Sequence, residues 1–371
     1  MRRNGLLLII IVLLMVAITL MIWKPWVVQA ETSVSDISAA WAESGHGDYT
    51  SESFNHWNEE ESGTIPPTCA KCHSGFGMRD YLGLDGSEAG RMDAAARLGS
   101  VVSCETCHNP AADAITEVKF PSGEVVPAMG SSSMCLNCHS GMGSGVGTAT
   151  KIEGMDLDTV SEDLASMNPH YLAAGATLFG TEAKGGYEYE GMTYAGKFEH
   201  SANAQTCVDC HDPHTLEVDE ENCQACHSNV VDAEDFVDVR MTKADLDGDG
   251  DTTEGIAKEL DGMREVLVKA LWMYSDEVLD NPILFAPDTY PYFFADTNGN
   301  GAADEGEAVF PNQYKGWSPR LVRTTYNLLF SVKDHGAYAH NPTYVAQLMY
   351  DSIADLSEVI SQDLTAGLTR P

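Results

Sequence analysis

The chain has 371 residues, 43 % of them apolar, which fits a folded globular protein and allows two domains of ordinary size. Fifty-six acidic residues face 21 basic ones, and the resulting formal charge of -35 excludes nucleic acid and anionic membrane surfaces as natural partners.

Residues 1-30 open with the basic MRRNG and continue into the apolar run LLLIIIVLLMVAITLMIW. That pattern is an export segment. Two readings stay open: a signal peptide cleaved after Val28-Gln29-Ala30, or a membrane anchor through residues 6-23. Both place the rest of the chain outside the cytoplasmic membrane, as a periplasmic, anchored or extracellular protein.

His46 and His56 precede the first of five Cys-x-x-Cys-His motifs, at Cys69, Cys72 and His73. The others are Cys104, Cys107, His108; Cys135, Cys138, His139; Cys207, Cys210, His211; and Cys223, Cys226, His227. These motifs use all ten cysteines, so the five disulfides usual for an exported chain are not the expectation. Two thiols at this spacing can each add to one vinyl group of a haem, and the adjacent histidine reaches the iron from the same side. The motif therefore predicts five covalently bound haem c groups.

Between the second and third motifs, Ile115 to Val126 reads as a β-hairpin turning at Pro121-Ser122-Gly123. His170, in Asn168-Pro169-His170-Tyr171, is expected to open a helix. The alternation of Tyr187, Tyr189 and Tyr194 around Gly191 reads as a second hairpin. His200 follows shortly before the close pair of motifs at Cys207 and Cys223. Between these lies His214, which Pro213 prevents from sharing an iron with His211.

The attachment motif fills one axial position of each iron, and the sixth ligand decides the chemistry. A second histidine gives a saturated, low-spin iron suited to single-electron transfer, whereas an open position allows a substrate to bind. Outside the motifs remain His46, His56, His170, His200, His214, His335 and His340. Of these, His46, His56, His170, His200, His214 and His340 are candidate distal ligands, His214 for a haem other than that of Cys207 and Cys210. Supply exceeds demand, which favours bis-histidine coordination throughout.

The repeated motifs, the close Cys207/Cys223 pair with its interposed histidine and the surplus of histidines resemble the multihaem c-type cytochromes, electron-transfer proteins of bacterial respiratory chains. The segment from His170 to His211 has the same character, and the likeness covers about residues 45-230. It implies closely stacked haems and sparse secondary structure, because the cofactors form much of the core.

After His227 the cysteines end and long helical patterns begin, which sets a domain boundary near residue 230. Asp245, Asp247, Asp249 and Asp251 form an acidic loop that calls for a calcium ion, with Glu254 or another residue closing the shell because Ile256 occupies the twelfth position. Ile256, Leu260, Met263, Val266, Leu267, Ala270 and Leu271 then mark one face of a helix. Asp296, Asn298, Asn300 and Glu307 match an EF-hand calcium loop, but Pro291 and Pro311 argue against both flanking helices. Further helices begin at Ser318-Pro319 and Asn341-Pro342.

The expected fold is mainly α with sparse β-hairpins: a loop-rich pentahaem domain over 31-230 and a helical domain with two calcium-type loops over 231-371. The expected function is electron transfer between redox proteins whose basic patches complement the acidic surface. Two alternatives remain. One is reduction of a small nitrogen or sulfur oxyanion at an open haem. Pentahaem nitrite reductases, however, resemble one another in having lysine in place of one motif histidine, and all five motifs here end in histidine. The other is a homo-oligomer or filament of extracellular cytochrome.

Overall fold

The computed structural model describes residues 33-240 and 242-371. The export segment over residues 1-30 lies outside them. Among the described residues no helix is long and apolar enough to cross a membrane. The architecture is mostly helical and rich in loops, with three two-stranded antiparallel sheets.

Short helices carry the motifs: α1 (Pro67–His73), α2 (Cys104–Cys107), α3 (Ser133–Cys138) and α4 (Glu220–Gln224), with a 3-10 turn at Cys207–Asp209. One helical turn is enough, because the histidine amide then donates to the carbonyl of the first cysteine. This bond is 2.8 Å at His108, His139 and His211, and 2.9 Å at His227.

The expected hairpin near residue 120 is present as β1 (Glu117–Lys119) and β2 (Val125–Pro127), with Val118 opposite Val126 and both buried. Gly123, at φ 93°, makes its turn. The second expected hairpin is not formed. From Tyr187 to Tyr194 the backbone is irregular, and its polar groups are taken up by side chains from far along the chain. Tyr187 donates to Asn327 at 2.7 Å and accepts from it at 2.9 Å, and the next residue, Ala195, donates to Gln347 at 2.8 Å. These long-range partners replace the strand ladder.

Three long helices dominate the later part: α5 (Ile256–Glu277), α6 (Pro319–Lys333) and α7 (Pro342–Ser357). Ser318 caps α6 by accepting from Leu321 at 3.2 Å, and Asn341 caps α7 by accepting from Tyr344 at 3.1 Å. The expected face of α5 is the packed one: Leu260, Met263, Leu267, Ala270 and Leu271 are buried, with Ile256 and Val266 at its edge. A third sheet pairs Ile283–Phe285 with Phe293–Ala295 between α5 and α6.

One main hydrophobic core runs across residue 230. Val118, Leu136, Ile152 and Phe179 belong to the same cluster as Leu267, Leu328 and Ile353. A buried ionic network fastens the halves together: Arg320 bonds Asp158 at 2.7 Å and also meets Asp355, which Arg323 holds as well.

Candidate haem-binding site

A continuous cavity of about 2760 Å³ lies between the motif-bearing segments and the helices, several times the roughly 300–1,000 Å³ of an ordinary small-molecule pocket. Twelve imidazoles line it, and ten of them face one another in five pairs. His73 faces His170 at a ring-centroid distance of 5.8 Å, His108 faces His214 at 6.2 Å, and His139 faces His46 at 6.4 Å. His211 faces His340 at 6.4 Å, and His227 faces His200 at 5.9 Å. Every pair joins one attachment-motif histidine to one histidine from outside the motifs.

The backbone explains how each outer histidine gets there. Asp212 accepts from the amides of His214 and Thr215, both at 2.8 Å, so the chain after His211 folds into a tight turn that aims His214 away from its neighbour. His170 does not open a helix; the next helix is Ala174–Phe179. Instead His170 and Leu172 sit in the left-handed region, at φ 72° and 55°, and Asn168 accepts from the His170 amide at 2.8 Å. Such strain in non-glycine residues persists where surroundings enforce it, as at ligand clamps.

Protonation suits metal ligation at four of the rings, whereas at His340 burial pulls down but Asp334 more than offsets it and holds the ring above the ordinary imidazole range. Burial, reinforced by His139, holds His46 down to about 4. Burial likewise lowers His139, His170 and His200, so these rings are neutral near pH 7 and keep a free lone pair. Hydrogen bonds fix which nitrogen is free. Nδ1 of His73 meets the Ser53 carbonyl at 2.7 Å, that of His139 the Leu172 carbonyl at 2.9 Å, and that of His211 the Leu216 carbonyl at 3.2 Å. Nδ1 of His340 meets both oxygens of Asp334 at 2.9 Å. With Nδ1 engaged, Nε2 is the nitrogen left to face the partner ring.

None of the ten cysteines is paired in a disulfide. Thiols of different motifs lie close together: that of Cys72 beside that of Cys138, and that of Cys135 beside that of Cys207. The first, third and fourth motifs therefore meet at their attachment edges. His56 is not set opposite any attachment histidine. Its Nδ1 lies 2.6 Å from Glu52 and its ring meets Trp57 at 4.8 Å, with Trp57 in turn against His73 at 5.2 Å.

The acidic loops differ in how their oxygens are satisfied. Carboxylate oxygens of Asp247, Asp249 and Glu254 lie within 4.8 Å of one another, as do those of Asp245, Asp247 and Glu259. Glu254 has a buried Oε1 with no hydrogen-bond partner, an orphaned atom that a cation would satisfy. Burial and the surrounding carboxylates push Asp247 and Glu254 up from the usual carboxylate range. Asp251 instead binds the amide and hydroxyl of Thr253 at 2.8 and 2.6 Å. In the second loop Asp296 accepts from Gly299 and Gly301, both at 2.7 Å, and Glu307 accepts from the Thr297 amide at 2.8 Å. Asn298 and Asn300 both donate to Asp304, at 2.8 and 2.7 Å. A strand precedes this loop and a 3-10 turn follows it, without flanking α-helices.

Sequence reasoning missed Asp334 altogether. Its signal was present in the spacing Asp334-x₅-His340, but only the fold turns the carboxylate back onto the ring. No family model and no solved structure matches the chain. Two curated relatives from Geobacter sulfurreducens do. The chain is 28% identical over 384 residues to C-type polyheme cytochrome OmcB, covering 86% of this chain and 48% of that protein. It is 26% identical over 394 residues to C-type polyheme cytochrome OmcC, covering 87% and 47%. The chain spans about half the length of the curated relatives it matches. These likenesses support a multihaem c-type cytochrome with covalently bound haem c.

Proposed function

We propose that this chain carries five haem c groups, each held between two histidines, and transfers electrons between respiratory partners outside the cytoplasmic membrane. The five imidazole pairs carry the reading. A metal–imidazole bond is about 2 Å and the ring centre lies about 1 Å beyond it, so two rings on opposite sides of one iron have centres about 6 Å apart. The pairs span 5.8 to 6.4 Å.

Haem supplies reversible one-electron chemistry at its iron. The chain's residues hold, orient and insulate it. Each Cys-x-x-Cys pair would hold a haem covalently, and the two paired imidazoles would ligate its iron and leave no position open to other ligands. Carbonyl acceptors on Nδ1 lock ring orientation. The closeness of the Cys72 and Cys138 thiols, and of the Cys135 and Cys207 thiols, favours close passage between neighbouring sites. An open-haem reductase finds no support here, because every attachment histidine has an imidazole opposite it.

The acidic surface suits partners that present basic patches near a haem edge. Calcium in the Asp245, Asp247, Asp249 and Glu254 cluster fits as a structural ion that satisfies the orphaned oxygen. The Asp296 loop is a second calcium candidate with its carboxylates already hydrogen-bonded. The deciding experiment is a haem count by mass together with a spin-state spectrum of the purified protein. Five haems, all low-spin, are expected; fewer than five, or a high-spin fraction in the native protein, would overturn the reading.

A further inference from the structure

We propose that Asp334 is a positioning residue that makes the haem site of Cys207 and Cys210 the one with the most negative reduction potential of the five. The inference rests on the pentahaem reading and adds to it an ordering of the sites. Its starting point is the His211/His340 pair. On one side, His211 Nδ1 meets a neutral backbone carbonyl, as His73 and His139 do in their own sites. On the other, His340 Nδ1 meets a carboxylate, with both oxygens of Asp334 at 2.9 Å. Among the described residues, no other imidazole of the five pairs hydrogen-bonds a carboxylate.

Asp334 sits where a carboxylate is expensive. It is 2 % exposed, and it directly follows the last residue of α6, where the partial negative charge of the helix end opposes another anion. Among the described residues no lysine or arginine forms an ion pair with it, although Arg264 is close enough to feel its charge. Arg264 meets Asp261 and Ser331, and Lys333 lies 3.7 Å from the ring centre of Tyr171 and 3.8 Å from that of Tyr292. The hydrogen-bond partners of the Asp334 carboxylate are the Gly336 amide at 3.1 Å and His340.

Two effects follow, and both have the same sign. A carboxylate on Nδ1–H raises the basicity of the ligating nitrogen, which favours the more positive iron. A buried carboxylate that pairs with no lysine or arginine would be stabilised by the extra positive charge of a ferric site, which reduction removes. The fourth site is thereby held oxidised while the others fill. Because its Cys207 thiol lies close to that of Cys135, this low point would lie beside the third site.

The test is a spectroelectrochemical titration of the full-length holoprotein and its Asp334→Asn variant. One of five components should move to more positive potential, the lowest one, while four stay and the spectrum remains low-spin. Asp334→Glu should restore part of the shift, which a purely structural role would not require. A His340→Met variant, which raises the potential of the same site through its ligand, should move that same lowest component. It also decides the matter if Asp334→Asn does not fold. Five unmoved components in a low-spin Asp334→Asn protein, or a His340→Met shift in any component other than the lowest, would overturn the proposal alone. A native protein with fewer than five haems or with a high-spin fraction would overturn the pentahaem reading and this one with it.

Discussion

His214 stands opposite His108 with ring centroids 6.2 Å apart and planes within 8°, although it grows from the turn that starts at His211. One four-residue stretch, His211-Asp212-Pro213-His214, thus contributes to two different sites. Removing the side chain with His214→Ala should convert the haem of Cys104 and Cys107 to high spin and leave that of Cys207 and Cys210 low-spin. Magnetic circular dichroism of the variant, with each haem identified by its own ligand variant, reads the outcome; an unchanged low-spin intensity would sink the pairing.

His56 and His170 both lie near His73, and only His170 faces it. His170→Ala should therefore open one axial position and let the reduced protein bind carbon monoxide at one haem. His56→Ala should leave carbon monoxide binding at its native level, with at most about 1 kcal/mol of stability lost from the exposed Glu52 contact. Titration with the gas distinguishes the two.

Ring planes differ between pairs, from 8° for His108/His214 to 65° for His73/His170. Near-parallel imidazoles split the iron d-orbitals strongly and give a rhombic low-spin resonance, whereas crossed ones leave them nearly degenerate and give a strongly anisotropic signal. The oxidised protein should show both signal types. The rhombic one should weaken in His214→Ala and the anisotropic one in His170→Ala.

Calcium in the first acidic loop should stabilise the fold by about 2.7 kcal/mol at a concentration a hundredfold above its dissociation constant. Glu254→Gln should weaken that response, because the orphaned Oε1 would lose its charge. Thermal unfolding with calcium and with a chelator measures it. Equal midpoints for the native protein under both conditions would show that this loop needs no ion.

Asp355 is buried between Arg320 and Arg323, so Asp355→Ala would leave Arg323 without its anion and Arg320 with Asp158 alone. The expected loss is about 3–5 kcal/mol in denaturant unfolding. Since Arg320 also binds Asp158, the damage should reach the segment that holds Asp158, visible as faster hydrogen exchange there.

The parts legible in the sequence are those written in local chemistry. Cys-x-x-Cys-His motifs announce themselves because attachment needs neighbours one helical turn apart, and α6 and α7 begin where Ser318-Pro319 and Asn341-Pro342 supply a cap and a first turn. Tyr187 to Tyr194 misleads because its alternation is local while its hydrogen-bond partners, Asn327 and Gln347, are not. The same limit hides which histidine faces which. His56 looks better placed than His340 by distance along the chain, yet the turn at Asp334 carries His340 to His211, and Glu52 and Trp57 keep His56 aside. The shared core across residue 230 is equally invisible, since a change in helical texture marks a change of local pattern and not of packing.

The five facing pairs also interlock along the chain. His46 reaches past His73 to His139, His73 past His108 to His170, and His108 past His211 to His214; His200 and His227 in turn bracket His211, whose own mate is His340. Each loop opens before an earlier one closes, so no cut between residues 46 and 340 yields two self-sufficient pieces. A fragment ending near residue 230 would keep all fifteen motif residues and still lack the imidazole facing His211, so on the proposed reading the late helices belong to the haem assembly and are not an appendage to it.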